Sequence, residues 1–314
     1  MKKLIIATRG SQLALWQSEH IKALLQEAHD GLEVELKVMK TKGDIILDTS
    51  LAKIGGKGLF TKELEEAMLR GEAHIAVHSL KDIPTVFPDG LVLGAVTKRE
   101  DPRDALLSQK YGSVEALPQG AVVGTTSLRR RMQILKARPD LNIKNLRGNI
   151  NTRLRKLKDG EYDAIILATA GIERLGLETE VKYFIHIPRT LMIPAMGQAA
   201  LGIECPNNQE ILEIVTVLKD EDATVETTIE RDFVDVLKGG CQVPIGVNAI
   251  LDGNIVTIRA IVGLPDGSQM IDEKIVASRS DYKHLGRELA DVMIKNGAIK
   301  LLKEAEEIAL RDIL

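Results

Sequence analysis

Hydrophobic and polar positions along the first two-thirds of the chain switch repeatedly between a strand-like and a helix-like pattern. Residues 4–7 and 163–168 are short and almost wholly apolar, as strands buried on both faces are. Residues 13–28 and 62–70 instead repeat their apolar positions every three to four residues, which predicts amphipathic helices. The alternation of such segments predicts parallel or mixed sheets covered by helices.

The last third of the chain has a different pattern. Helical periodicity covers residues 221–237 and 282–314. Three strand-like segments lie between these helices, separated by the turn sequences Asp-Gly-Asn at 252–254 and Pro-Asp-Gly at 265–267. This order predicts an α+β domain with a small antiparallel sheet.

The composition narrows the class of protein. A chain of 314 residues is expected to form two or three domains, and its 42 basic and 45 acidic residues nearly balance. No apolar run approaches the length of a membrane span, and charged residues interrupt the first apolar run at once, which favours a first strand over a signal peptide. Two cysteines, Cys205 and Cys241, make neither a disulfide framework nor a metal motif, so we expect a cytoplasmic protein without a metal site.

Positive charge is concentrated in residues 98–158, which hold 15 basic and 5 acidic residues. Within this segment, a strand ends at Gly124, hydroxyl residues follow, and a helix is predicted to begin near Ser127. A helix N-terminus attracts anions, and arginines beside it add paired donors for carboxylate or phosphate. Arg9 and Ser11 repeat this arrangement at the end of the first strand, and we expect Arg147 and Arg153 to converge on the same cleft. Arg131, Arg155 and Lys156 are instead interpreted as solvated helix positions.

Nucleic acid is the alternative partner for a basic segment of this kind. Only 3% of the residues are aromatic, and the net charge of the whole chain is −3. Because single-strand and RNA-binding modules stack bases on aromatic side chains, this composition argues against nucleic-acid binding.

Two further segments carry candidate chemistry. The sequence His78-Ser79-Leu80-Lys81-Asp82 leads from a strand into a polar turn, where open α/β sheets bind ligands. A carboxylate at this place can neutralise a developing cation, although an exposed Lys–Asp pair on a surface loop is an equally simple interpretation. Cys241 lies between two glycines and a Val-Pro-Ile-Gly turn, which suits either a thiol presented to a covalent partner or a small buried residue.

The glycine-rich segment 41–59 is either a flexible loop over a cleft or a plain connection.

Taken together, these segments resemble the hydroxymethylbilane synthase family, also called porphobilinogen deaminases, over the whole chain. The segments that carry the resemblance are Ala7-Thr8-Arg9, Ser11-Gln12-Leu13-Ala14-Leu15-Trp16, Gly43-Asp44, Lys53-Ile54-Gly55-Gly56-Lys57-Gly58-Leu59-Phe60, His78-Ser79-Leu80-Lys81-Asp82, Arg99-Glu100-Asp101-Pro102-Arg103-Asp104, Gly124-Thr125-Thr126-Ser127-Leu128-Arg129-Arg130, Leu146-Arg147-Gly148-Asn149, Pro194-Ala195-Met196-Gly197-Gln198 and Gly239-Gly240-Cys241-Gln242-Val243-Pro244-Ile245-Gly246. Met196 and Ala199 are small variations on the usual Pro-Ala-x-Gly-Gln-Gly stretch. Cys205 has no role in the family pattern and is interpreted as a buried structural thiol.

The resemblance implies a fold with two doubly wound α/β domains like those of type II periplasmic binding proteins, and a smaller α+β C-terminal domain. Domain 1 would comprise residues 1–98 and 195–215, with the catalytic aspartate and a lid loop. Domain 2 would comprise 99–194, with the basic anion-binding face, and domain 3 would comprise 216–314, with the cofactor cysteine.

The resemblance also implies a transferase that deaminates four porphobilinogen molecules and joins them head to tail. The primer is a dipyrromethane cofactor linked to Cys241 through a thioether, and hydrolysis releases 1-hydroxymethylbilane for porphyrin and heme biosynthesis. Asp82 would be the catalytic residue, holding the pyrrole N–H groups and stabilising the azafulvene cation that deamination forms. The implied cofactor contacts are Cys241, Lys81, Asp82, Thr125, Ser127, Arg129, Arg130 and Arg147. The implied substrate contacts are Arg9, Ser11, Phe60, Arg147, Arg153, Arg174 and Gln198.

The family pattern further implies a monomer that passes its product to uroporphyrinogen-III synthase. An alternative is a non-enzymatic anion-binding protein with the same two lobes. Asp82 and Cys241 distinguish the two, because a binding module needs neither a cation-stabilising carboxylate nor an anchored thiol.

Overall fold

Three sheets and the helices that cover them make up the computed structural model, which describes residues 1–45, 60–239 and 243–311. The described residues form two compact units. One unit contains residues 1–45, 60–100 and 199–225, and the other contains 101–198, 226–239 and 243–311. The finer division into three domains with the boundaries given above stays a prediction.

The strands, in chain order, are β1 Lys3–Arg9, β2 Glu33–Met39, β3 Ile75–Ser79, β4 Leu91–Val96, β5 Asp104–Ser108, β6 Val122–Gly124, β7 Asn142–Lys144, β8 Ala164–Ala168, β9 Tyr183–His186, β10 Leu201–Pro206, β11 Ile245–Asp252, β12 Ile255–Gly263 and β13 Met270–Ser278. The described helices are α1 Gln12–Ala28, α2 Lys42–Ile45, α3 Lys62–Leu69, α4 Leu128–Ala137, α5 Ile150–Lys158, α6 Thr169–Glu173, α7 Gln209–Val215, α8 Glu221–Val236, α9 Tyr282–Lys295 and α10 Ala298–Arg311. Short 3₁₀ turns cover Leu80–Asp82, Glu178–Glu180, Thr216–Leu218 and Arg279–Asp281.

The first unit contains a five-stranded mixed sheet in the order β2-β1-β3-β10-β4. Strand β1 runs parallel to β2 and β3, whereas β10 runs antiparallel to both of its neighbours. Apolar residues of β1, β3 and β10 pack beneath α1 and α7 on one face of this sheet, and α3 packs on the other. The sheet therefore has helices on both faces, as a doubly wound fold requires.

The second unit repeats this arrangement in a five-stranded sheet with the order β7-β6-β8-β5-β9. Strand β6 runs parallel to β7 and β8, and β5 runs antiparallel to β8 and β9. In each sheet the antiparallel strand therefore occupies the same fourth place. The expected pair of doubly wound α/β sheets is confirmed.

The C-terminal part of the chain contains the predicted three-stranded antiparallel sheet, in the order β11-β12-β13. Both predicted turn glycines have positive φ, 58° at Gly253 and 74° at Gly267, as tight turns demand. Over residues 282–311, the predicted helical pattern corresponds to two helices, α9 and α10. The break occurs at Gly297, where φ is 98° and the helix cannot continue.

Four strands, β4, β5, β9 and β10, were not predicted from the pattern of apolar residues. Strand β5 begins with Asp104 and β10 contains Glu204, and both acidic residues are fully buried. An acidic residue is normally exposed, so in a sequence it argues against a buried strand. These two strands can be recognised only once the hydrogen-bond partners of their buried carboxylates are known.

No described helix is long and apolar enough to cross a membrane.

Candidate active site

Asp82 lies on a short turn at the carboxyl end of β3, the middle strand of the first sheet. Strand β3 ends at Ser79, and the 3₁₀ turn that follows is anchored by Leu80 and Ile83, which are 0% and 2% exposed. The backbone N–H of Leu80 donates to the carbonyl of Ala200 at 3.0 Å, so the turn is fixed to the strand beside it. The Asp82 side chain is exposed, and nothing in the described part of the chain forms a hydrogen bond or ion pair with its carboxylate. The anchored turn thus presents an acceptor that is available to a ligand.

The carboxyl end of β1, beside β3, carries Arg9, with Ser11 close behind it in the chain and Phe60 in contact with Arg9. Arg9 is the last residue of β1, which runs parallel to β3, so Arg9 and the Asp82 turn follow neighbouring strand ends. The guanidinium of Arg9 stacks over the Phe60 ring with 4.2 Å between the Cζ atom and the ring centroid. Ser11 caps α1 by accepting a hydrogen bond from the Ala14 N–H at 3.3 Å. In the first unit, the structure therefore brings one cation and one aromatic ring into contact, and the exposed Asp82 carboxylate follows the neighbouring strand.

Thr125 and Ser127 form the N-terminus of α4 in the second unit. Ser127 caps the helix by accepting from the Arg130 N–H at 3.4 Å, and its own N–H donates to the Thr125 hydroxyl at 3.2 Å. Strand β6 ends at Gly124, directly before this cap. The predicted strand, cap and helix are all present, and the positive end of the helix dipole lies where an anion site was predicted.

Arg129 and Arg130 are buried, 4% and 7% exposed, and both turn inward. Arg129 donates to Asp104 Oδ2 at 2.6 Å through Nη1, and Arg130 donates to Asp104 Oδ1 at 3.0 Å through Nε and 2.8 Å through Nη2. Gln198, only 1% exposed, donates to the same Oδ1 at 3.0 Å and to the carbonyl of Pro102 at 2.7 Å. The family resemblance implied all three as cofactor or substrate contacts. Neither the resemblance nor the sequence pattern gave a role to Asp104, the carboxylate that holds them.

The remaining predicted arginines belong to the loop and helices that follow. Arg153, in the first turns of α5, donates through Nε to the carbonyl of Gly148 at 2.7 Å. Arg147 precedes that glycine and is half-buried, and Arg174 is buried at the end of α6. Gly148 has a φ of 110°, so the backbone at this loop turns sharply between Arg147 and α5. These are further cationic groups of the second unit, and their contact with a ligand stays a prediction.

A buried group of three titratable side chains lies on β3, β10 and α3, and the sequence pattern did not reveal it. His78 on β3 and Glu204 on β10 are joined by a 3.1 Å contact between Nε2 and Oε2, and both are buried. Glu65 reaches towards them from α3, and burial raises the pKa of its carboxyl, with the nearby Glu204 carboxylate adding to the effect. Glu65 on α3 therefore interacts electrostatically with the paired side chains of β3 and β10.

Cys241, the predicted attachment point, lies outside the described residues, as does segment 46–59 of the glycine-rich loop. Helix α8 ends at Val236, the described residues continue to Gly239 and resume at Val243, and β11 begins at Ile245. Within the described residues, no group of three or more His, Cys, Asp or Glu side chains is placed to hold a metal ion.

Comparison with protein-family models gives two matches that together span most of the chain. Residues 4–213 match "Porphobilinogen deaminase, dipyromethane cofactor binding domain", and residues 224–295 match "Porphobilinogen deaminase, C-terminal domain". The chain belongs to the porphobilinogen deaminase family. The resemblance inferred from the sequence motifs is thereby confirmed, together with the dipyrromethane cofactor that it implied.

Curated relatives are similar over nearly their whole length. The porphobilinogen deaminase of Sulfurimonas denitrificans is 64% identical over 98% of this chain and 98% of its own. Those of Aliarcobacter butzleri and Campylobacter jejuni are 62% and 57% identical, covering 99% and 98% of this chain and 100% and 99% of their own. Among solved structures, a TRAP periplasmic solute binding protein from Desulfovibrio salexigens covers 70% of this chain and 73% of its own, with a TM-score of 0.43 and 12% identity. That likeness is too weak to carry an argument.

The described residues fit a dipyrromethane cofactor. Pyrrole N–H groups need an acceptor, which the exposed Asp82 carboxylate offers. Ring carboxylates need cationic or N–H donors, which the capped start of α4 and the arginines of the second unit offer. Each unit therefore offers, by itself, one of the two kinds of polar partner that such a molecule needs.

Proposed function

We propose that this protein is a hydroxymethylbilane synthase. It deaminates four porphobilinogen molecules in turn, joins them head to tail on a dipyrromethane primer attached to Cys241, and releases 1-hydroxymethylbilane by hydrolysis. The observation that carries the proposal is the match of residues 4–213 to the cofactor-binding domain of the porphobilinogen deaminase family.

Asp82 is the residue we assign to the chemical step. Loss of ammonia from porphobilinogen leaves positive charge on the pyrrole ring, and a carboxylate at hydrogen-bond distance from the ring N–H stabilises that charge. The turn holds Asp82 through Leu80 and Ile83, so the acceptor is in place before the substrate arrives. When bound, the dipyrromethane supplies the pyrrole with a free α-carbon that serves as the nucleophile for the first addition.

The cationic groups of both units are assigned to the substrate carboxylates. Porphobilinogen carries an acetate and a propionate, so every addition brings two negative charges to the protein. Arg9 in the first unit, and Arg147 and Arg153 in the second, supply charge that binds these groups and orients each ring. The N-terminus of α4, capped by Ser127, adds N–H donors that need no counter-ion.

The wider setting is proposed on the family pattern alone. The enzyme would act as a monomer in the cytoplasm. It would pass its unstable linear product to uroporphyrinogen-III synthase.

The first test is the intact mass of the purified, denatured protein. We expect an excess equal to two porphobilinogen units less two ammonias, mapped to the peptide that contains Cys241. Cys241→Ser should be folded but lack this excess, and Cys205→Ser serves as the matched control that should retain it. A pyrrole-bearing Cys241→Ser protein would refute the attachment site.

Turnover is the second test. Asp82→Asn keeps the size of the side chain but removes its charge, so it should retain the covalent mass excess while porphobilinogen consumption falls at least about 100-fold, or about 2.7 kcal/mol of barrier. A wild-type protein without mass excess or turnover, even after incubation with porphobilinogen, would leave the non-enzymatic anion-binding protein as the better explanation.

A further inference from the structure

Asp104 is the centre of a buried hydrogen-bond network in the second unit. It is 0% exposed and begins β5, and its carboxylate accepts hydrogen bonds from the side chains of Arg129, Arg130 and Gln198 at distances between 2.6 and 3.0 Å. Its backbone is fixed as well, because its carbonyl accepts from the Ile187 N–H at 2.8 Å. One carboxylate therefore anchors three side chains that reach it from two separate segments.

The donors are held in single orientations by further contacts. Arg130 also donates through Nη1 to the carbonyl of Ile166 at 3.0 Å, and Arg129 donates through Nη1 to the carbonyl of Ile193 at 2.7 Å. An arginine carries roughly 2 kcal/mol of rotamer entropy, which must otherwise be lost when a ligand is bound. In this network that loss has occurred before any ligand arrives, and this is what preorganisation means.

The network also pairs charges away from water. Two guanidinium groups converge on one carboxylate in a site that is almost completely closed to water. Removing one partner from such a group leaves a buried charge without compensation, which is costly. Asp104 therefore allows two arginines to lie side by side at the start of α4.

We propose that Asp104 is a positioning residue that presets Arg129, Arg130 and Gln198 for the carboxylates of the pyrrole chain. It touches no substrate itself and acts through the three donors. The inference rests on the proposed function, because the pyrrole carboxylates are the ligands that the donors would bind.

The test compares Asp104→Asn with Asp101→Asn. Asp101 lies three residues earlier and forms a partly buried ion pair with Arg103. Among the described residues its carboxylate has no hydrogen bond to Arg129, Arg130 or Gln198, so its variant is a matched control. In Asp104→Asn the side chain keeps its shape, but one acceptor oxygen becomes an NH₂ group, which donates and cannot accept hydrogen bonds from the arginines. We expect the KM for porphobilinogen to rise about 10-fold or more with a smaller change in kcat, which is the pattern for lost binding. Asp101→Asn should keep KM within about twofold.

A second variant keeps the proposal testable if Asp104→Asn does not fold. Gln198→Met removes one donor to Asp104 without changing charge, and we expect KM to rise about threefold, in the same direction. A purely structural role for Asp104 would lower the thermal midpoint of these variants and leave KM unchanged, and that result overturns the proposal. Wild-type protein is measured first, since absence of turnover there would refute the proposed function instead.

Discussion

Gly202 on β10 offers a direct test of how the sheet holds the Asp82 turn. A Cβ atom at this position would lie 2.5 Å from Ile83 Cδ1, 2.9 Å from Leu80 Cδ1 and 3.2 Å from Leu93 Cδ1. Carbon atoms in contact are normally about 3.5–4.0 Å apart, so the closest neighbour must move by about 1 Å. Leu80 and Ile83 are almost fully buried and flank Lys81 and Asp82, so the displacement is transmitted to the turn.

Overpacking of the core sets the expected loss of stability, and displacement of Asp82 sets the expected loss of activity. Gly202→Ala should destabilise the protein by about 1–3 kcal/mol, the usual cost of an extra group in a filled core. A shift of about 1 Å in a catalytic group can lower the rate about 100-fold, so we expect kcat/KM for porphobilinogen to fall between about 10-fold and 100-fold.

Gly94→Ala is the matched control in the same sheet. Its added Cβ would lie 2.7 Å from Cys205 Sγ and 3.0 Å from Val215 Cγ2, away from the catalytic turn. Both variants should lose a similar amount of unfolding free energy in urea, but only Gly202→Ala should lose turnover at a temperature where both are folded. Equal turnover in two equally destabilised variants would refute the coupling between β10 and Asp82.

Three further predictions concern buried or strained positions. Burial raises the folded-state pKa of Glu65 above its unfolded value of 4.5, so the stability it contributes is present at low pH and is lost as pH rises through the folded pKa. Glu65→Gln should therefore raise the thermal midpoint by an amount that grows as pH rises above 4.5 and levels off above the folded pKa, and a pH-independent difference would contradict this. Burial also raises the pKa of the Cys205 thiol to about 11, so iodoacetamide at pH 8 should label it only after unfolding, whereas rapid labelling of native protein would show that the thiol is accessible. Ala199 has a φ of 75°, in the left-handed region that favours glycine, so Ala199→Gly should increase the unfolding free energy by about 1 kcal/mol, and a decrease would show that the backbone is not strained there.

Local features of the sequence predicted local structure well. The hydroxyl cap at Ser127, the cap at Ser11 and the glycine turns at 253 and 267 all depend on bonds between residues close in the chain. The place of Asp82 after a buried strand was predicted for the same reason, because a strand end is visible in the apolar pattern.

Long-range partners account for what the sequence did not reveal. Asp104 bonds to an arginine 25 residues away, and Glu204 contacts a histidine 126 residues away. Arg129 and Arg130 were expected to face a ligand. Neighbouring positions on a helix point in different directions, and only the packing of β5 against α4 shows that both guanidinium groups converge on one carboxylate.

The place of β10 in the first sheet has a consequence for synthesis on the ribosome. β10 lies between β3 and β4, yet its residues, Leu201–Pro206, follow those two strands by about a hundred positions. While the intervening segment is being translated, the nascent chain holds β4 without its neighbour and β3 with one open edge. Open strand edges are sites of aggregation, so we expect the amino-terminal third of the chain to be prone to aggregation until residues 201–206 have been translated.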